Sequence, residues 1–206
     1  MKKFIIRCWL CGFALAAWLS GCVSIEKSYP DKRYFVLDIS RDINPKNETG
    51  IGILQVSNAR VSPRYEEKSF VYRTSEAGYE SDFYNQFLVS PAFLISEEVR
   101  KGLARSHVFQ HVIASSSQLE PTHILESGVA ALYGDFRDLS APRAVMEIDF
   151  FLSREASGRS EIVLGRRYSK SVPLSGRSPE ALVKGWNEAL EAILNSLIAD
   201  LKATKL

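Results

Sequence analysis

Cysteine is scarce in this 206-residue chain, and all three, Cys8, Cys11 and Cys22, fall within the first 22 positions. The remainder has no thiol for a disulfide or for a zinc site built from Cys and His spacing. Histidine is equally rare: His107, His111 and His123. The first two stand four apart, but they straddle an expected helix-to-strand break and lack an HExxH context, so they read as ordinary surface or half-buried side chains. An excess of charge is missing as well. Lys2, Lys3 and Arg7 hold three of the 26 basic residues, which leaves 23 against 24 acidic ones after the extreme amino terminus. So even a balance lacks the positive field by which proteins hold nucleic acid. There is no G-x-S-x-G elbow, so Ser115–Ser117 reads as a polar turn, and Gly50-Ile51-Gly52 precedes a strand rather than a phosphate-binding helix. Glu97 and Glu98 are adjacent on a helix, cannot converge on one substrate, and read as a solvated face. The sequence therefore offers no catalytic residue, no cofactor site and no metal site, and an enzyme is disfavoured.

A membrane-spanning run is also lacking. The apolar stretch Cys8–Leu19 has twelve residues, about 18 Å as a helix against a bilayer core of about 30 Å. With Lys2, Lys3 and Arg7 ahead of it, it has the layout of an export signal, residues 1–21. Leu19-Ser20-Gly21-Cys22 follows, a bulky apolar residue, two small ones and a thiol, and it resembles the bacterial lipoprotein box. Cys22 is then the acylated first residue of the mature chain, and several acyl chains at about 0.8 kcal/mol per CH₂ hold it firmly without a spanning helix. By resemblance to sorted Gram-negative lipoproteins, Val23 and Ser24 in place of an Asp favour the outer membrane, facing the periplasm. Residues 22–33 read as a polar tether ahead of a domain covering 34–206.

Within that domain, strands are expected at Tyr34–Ile39, Ile51–Val61, Ser69–Arg73 and Val108–Ile113, and a long one at Thr122–Phe136, bulged or bent at Gly128 or Gly134. Ala144, Met146, Ile148, Phe150 and Leu152 alternate with polar residues, which predicts a strand with one buried side. Gly158 marks a hairpin, and the return strand carries Ile162, Leu164, Tyr168 and Val172 in register. Two helices are expected. Pro91–Ser106 switches to steps of three to five residues. The last helix opens with Ser178 as N-cap, Pro179 and Glu180, and carries Leu182, Trp186, Ala189, Leu190, Ile193, Leu197 and Leu201 along one stripe. About seven strands and two helices make a layered α/β or α+β domain.

Tyr79–Pro91 packs Tyr79, Phe83, Tyr84 and Phe87 among Asp82, Asn85 and Gln86. Two readings stay open: these rings cap the core, or Phe83, Tyr84 and Phe87 form a partner surface, since aromatics are enriched at interfaces.

Tyr34-Phe-Val-Leu37, Ile53-Leu-Gln-Val56 leading into Val61-Ser-Pro-Arg-Tyr65, Phe70-Val-Tyr-Arg73, Tyr84–Pro91 before a helix and the closing helix with Trp186 together resemble the ABC-type transport auxiliary lipoprotein family. That resemblance covers nearly all of residues 22–206 and implies a mixed sheet flanked by helices, similar to anticodon-binding and TolB N-terminal domains. It implies a non-catalytic partner of an MCE-type substrate-binding subunit and an ABC permease/ATPase complex moving lipids or other hydrophobic molecules, with ring-like self-association as a homo-oligomer possible. An outer-membrane assembly scaffold and a self-standing periplasmic lipid carrier are the alternatives. Only Cys22 carries over as a site residue.

Overall fold

The computed structural model, which describes residues 31–39, 50–156 and 158–206, sets short amino-terminal strands beside long carboxy-terminal ones. In chain order these are β1 (Arg33–Phe35), β2 (Ile53–Val56), β3 (Arg60–Val61), β4 (Ser69–Arg73) and β5 (Tyr79–Phe87). Helix α1 (Pro91–Ser106) follows, then β6 (His111–Ala114), β7 (His123–Asp135), β8 (Arg143–Ala156), β9 (Arg159–Pro173) and helix α2 (Pro179–Ala203). Among the described residues the result is a mixed α/β fold with one sheet of nine strands and a long carboxy-terminal helix. Lys32–Leu206 packs as one unit.

β7 is the spine. Along one edge it pairs in turn with β2, β3 and β4, all parallel; along the other it pairs antiparallel with β8, which pairs with β9. β5 joins β4 antiparallel and β1 lies outermost, parallel to β5 and bonded to no other described strand. Both helices share one face. β8 turns Ala144, Met146, Ile148, Phe150 and Leu152 fully inward, and the α2 stripe from Leu182 to Leu201 is fully buried against β8 and β9. Gly185 permits that approach, because a Cβ there would lie 2.7 Å from the Cβ of Ala144. Trp186 is the keystone: its ring meets Phe70 edge-on at 5.0 Å and Phe87 at 5.4 Å, and Nε1 donates to the Tyr133 carbonyl at 3.4 Å.

Sequence and structure agree on Ser69–Arg73, on Pro91–Ser106, and on the Ser178 cap, whose hydroxyl accepts the Ala181 N–H at 3.2 Å. They differ where tertiary partners intervene. The expected strand 34–39 stops at Phe35, although Leu37 and Ile39 are buried. The stretch 51–61 divides into β2 and β3, because β7 accepts two short partners in succession. The irregularity in β7 falls between Val129 and Ala131 rather than at Gly128 or Gly134. Ile162 is 67% exposed: a register shift opposite Leu152 and Ser153 turns it outward, away from the row formed by Tyr168 and Leu164.

Candidate functional site

Residues 33–39 carry the chain into the domain, and side chains from both helices fasten them. Arg33 donates to Glu180 Oε1 at 2.6 Å at the start of α2 and to Asn85 Oδ1 at 3.0 Å. The Asp38 N–H donates to Asn187 Oδ1 at 3.1 Å. Glu98, expected on a solvated face, is instead 2% exposed: Oε2 accepts the Ile39 N–H at 3.0 Å while Oε1 accepts Lys101 Nζ at 2.8 Å. That hydrogen bond raises the Lys101 pKa. Adjacent glutamates on a helix point about 100° apart, so Glu97 stays in water while Glu98 turns in.

The aromatic stretch divides between the two readings. Phe87 is 2% exposed and meets Phe70 at 4.8 Å, so it belongs to the core and drops out of the partner surface. Phe83 is 63% exposed, with half-buried Tyr84 edge-on at 5.2 Å. The cause is a bulge: between paired positions, β4 has one residue, Phe70, where β5 has Asp82, Phe83, Tyr84 and Asn85. Asp82 organises it. Oδ1 accepts the Tyr84 and Asn85 N–H groups at 2.8 and 3.0 Å, and Oδ2 accepts the Tyr72 hydroxyl and Asn85 Nδ2, both at 2.7 Å. Burial alone would raise the Asp82 pKa, but these four donors hold it below the usual carboxylate range. Burial and the same carboxylate push the Tyr72 phenol up. Bulges re-aim side chains, and this one delivers Phe83 to the surface.

A second surface is the sheet face turned away from the helices. A cleft of about 400 Å³ lies over Gly128 and Asp149, bordered by Ser57, Arg60, Glu126 and Phe151. Arg167 grips Asp149 with Nε and Nη2 at 2.6 and 2.8 Å and approaches Glu147 at 3.3 Å. On this face Arg167 neutralises charge at Asp149 and Glu147, and Phe151, 48% exposed, and Ile162 are large apolar features.

His107 ends α1 in the left-handed region at φ 54°, His111 is exposed on β6, and His123 is buried beneath Phe109 with Nδ1 2.9 Å from Thr122 Oγ1. Burial first, and the Arg154 charge second, lower the His123 pKa. Among the described residues no three His, Cys, Asp or Glu side chains gather to hold a metal ion, and no helix is long and apolar enough to cross a membrane. Cys22 and the signal segment lie outside the described residues. Of the residues singled out beforehand, the structure brings Phe83 and Tyr84 together and separates Phe87. Glu98 and Asp82 were missed, because their roles depend on Ile39 and Tyr72 arriving from other elements.

No family model matches the chain, and no curated protein does. Solved structures match well. A Xanthomonas campestris protein described under the family DUF330 superposes with a TM-score of 0.68 at 16% identity, over 81% of this chain and 92% of that one. A second, described as an uncharacterized protein, gives 0.66 at 14% identity, over 84% of this chain and 99% of that one. At such identities the likeness is one of fold. Lipoprotein GNA1162 from Neisseria meningitidis aligns more loosely, with a TM-score of 0.39 at 9% identity over 70% of this chain and 96% of that one, and carries no argument.

Proposed function

We propose that this chain is a lipid-anchored, non-catalytic accessory of an ABC/MCE-type envelope transport system, docking the substrate-binding subunit at the outer membrane. The observation that carries the reading is Leu19-Ser20-Gly21-Cys22 placed ten residues ahead of a unit that begins at Lys32. Ten extended residues reach at most about 35 Å, so the domain stays close to the bilayer that holds its acyl chains. The resemblance of the strand and helix segments to the transport auxiliary lipoproteins supports the setting. Anchoring raises effective concentration, so individually weak contacts with a partner suffice, and ring-like self-association would multiply them. A self-standing lipid carrier with a cavity enclosed between the helices has less support: the cleft there, bounded by Ile39, Gly102, Leu194 and Ile198, holds about 10 Å³, room for about one water, and the larger clefts lie at the surface.

The test is Cys22→Ala in cells, with a photo-crosslinker at Phe151 in the otherwise unchanged protein. The expected result is a folded but mislocalised variant that no longer supports transport, and crosslinks from the anchored protein to an MCE-type subunit. Full function from the unlipidated form would overturn the anchor. Crosslinks confined to barrel-assembly or cell-wall proteins would replace the transport reading with the scaffold.

A further inference from the structure

Six of the eleven large hydrophobic side chains exposed among the described residues gather along one edge: Tyr34, Val36, Phe83, Leu88, Val89 and Phe93. They form one stripe for a reason readable in the backbone. Phe35 and Phe87 are register partners and both turn toward Phe70, so Tyr34, opposite Gln86, faces the other way. Val36, just past the end of β1, is exposed beside Val89 and Phe93. Lys32 Nζ sits 4.1 Å over the Phe83 ring, which marks one end of the stripe. At the other end the Leu88 N–H donates to the Phe35 carbonyl at 2.8 Å, and Val36, Val89 and Phe93 line a cleft of about 340 Å³. The cations nearby include Lys32 over Phe83, Arg33 paired with Glu180, and Lys68, whose Nζ donates to the Leu88 carbonyl at 3.0 Å. Lys101 in the cleft is paired with Glu98 and approaches Glu97 at 3.6 Å, and Asp38 lines the cleft with them.

We infer that this edge rests on the lipid surface that holds Cys22, with the rings of Phe83, Tyr34 and Phe93 at the headgroup level. The assignment rests on the anchored reading of Cys22 and not on the identity of the transport partner. Three observations single out lipid as the occupant. The stripe is built on β1, where the chain leaves its tether, and Cys22 lies ten residues before Lys32, so the Lys32 end of this edge cannot move more than about 35 Å from the bilayer. Aromatic and aliphatic side chains interleaved with lysine match the composition of membrane–water interfaces. β1 is also an outer strand with no further described strand beside it, and apposition to lipid covers it against pairing with other chains. The tether fixes the domain near the membrane; the stripe fixes its orientation.

The experiment uses the lipidated full chain in vesicles of phosphatidylethanolamine and phosphatidylglycerol. Val36→Cys, Phe83→Cys and Phe93→Cys each receive an environment-sensitive fluorophore, with Ile162→Cys on β9, at the far end of the sheet pairing, as control. Flotation with the vesicles reports the anchor, and quenching by spin-labelled lipid reports the stripe. The expected result is co-flotation, with blue-shifted emission and severalfold stronger lipid quenching at 36, 83 and 93 than at 162. Co-flotation with all four labels equally in water overturns the stripe alone. Failure to float overturns the anchor and the stripe with it. Labels that stay in water when copies are sparse but become shielded as copies crowd would assign the edge to a second copy and overturn the lipid assignment.

Discussion

The two ends of the domain are held by different physics. At the carboxy-terminal end, β8 and α2 are long and apolar in period, and their buried faces follow from neighbours in sequence. At the amino-terminal end, residues 33–39 form three residues of strand and then run without a ladder, yet Leu37 and Ile39 are as buried as much of the core. Their backbone is satisfied instead by Glu98, Arg105 and Asn187 from the two helices, Arg105 reaching the Ile39 carbonyl at 3.3 Å. The difference teaches that burial has two sources here: repetition within an element, and single polar side chains that reach across elements.

Trp186→Ala should break the regular end hardest. It removes a fully buried ring and its contacts with Phe70 and Phe87, at a cost of about 4 kcal/mol read from urea unfolding. Glu98→Ala tests the other source. It leaves the buried Ile39 N–H without its acceptor, so a loss of about 3 kcal/mol is expected, with hydrogen exchange accelerating first at Ile39 rather than in α2. Uniform acceleration across both ends would erase the distinction. Asp82→Ala removes the acceptor of four hydrogen bonds beneath the Phe83 bulge, for a loss of about 2 kcal/mol, and Asp82→Asn should recover part of it. The smallest effect belongs to His123. Its folded pKa is lowered, so the unfolded chain binds a proton that the folded chain resists, and stability declines as pH falls below about 6.5. His123→Gln should flatten that part of the pH–stability curve, and an unchanged slope would assign the dependence elsewhere.

Most of the regular end was legible from residue order. Alternation from Ala144 to Leu152 and the stripe from Leu182 to Leu201 each need only local geometry, so both faces could be assigned before any fold was in view. Ile162 failed for a local reason as well: one shift in register, opposite Leu152 and Ser153, reverses the side on which a strand residue points. Glu98 failed for a distant one. A helix period says which residues share a face, but not that an extended segment from β1 will lay an unpaired N–H against that glutamate. The candidate surface divided in the same way. That Tyr79–Pro91 is rich in rings is plain from composition, whereas the sorting of Phe87 inward and Phe83 outward depends on three surplus residues in β5 opposite β4.

Sequence by itself determined the helical stripe of α2 and the buried side of β8, because each depends on residues adjacent along the chain or one helical turn apart. Tertiary structure alone decided that β7 would serve three parallel partners in turn, that Glu98 would be buried, and that six apolar side chains from β1, β5, α1 and the residues next to them would meet on one edge. Those outcomes depend on pairing between segments dozens of residues apart, and register across such distances is set by the packing of the whole sheet rather than by any local pattern.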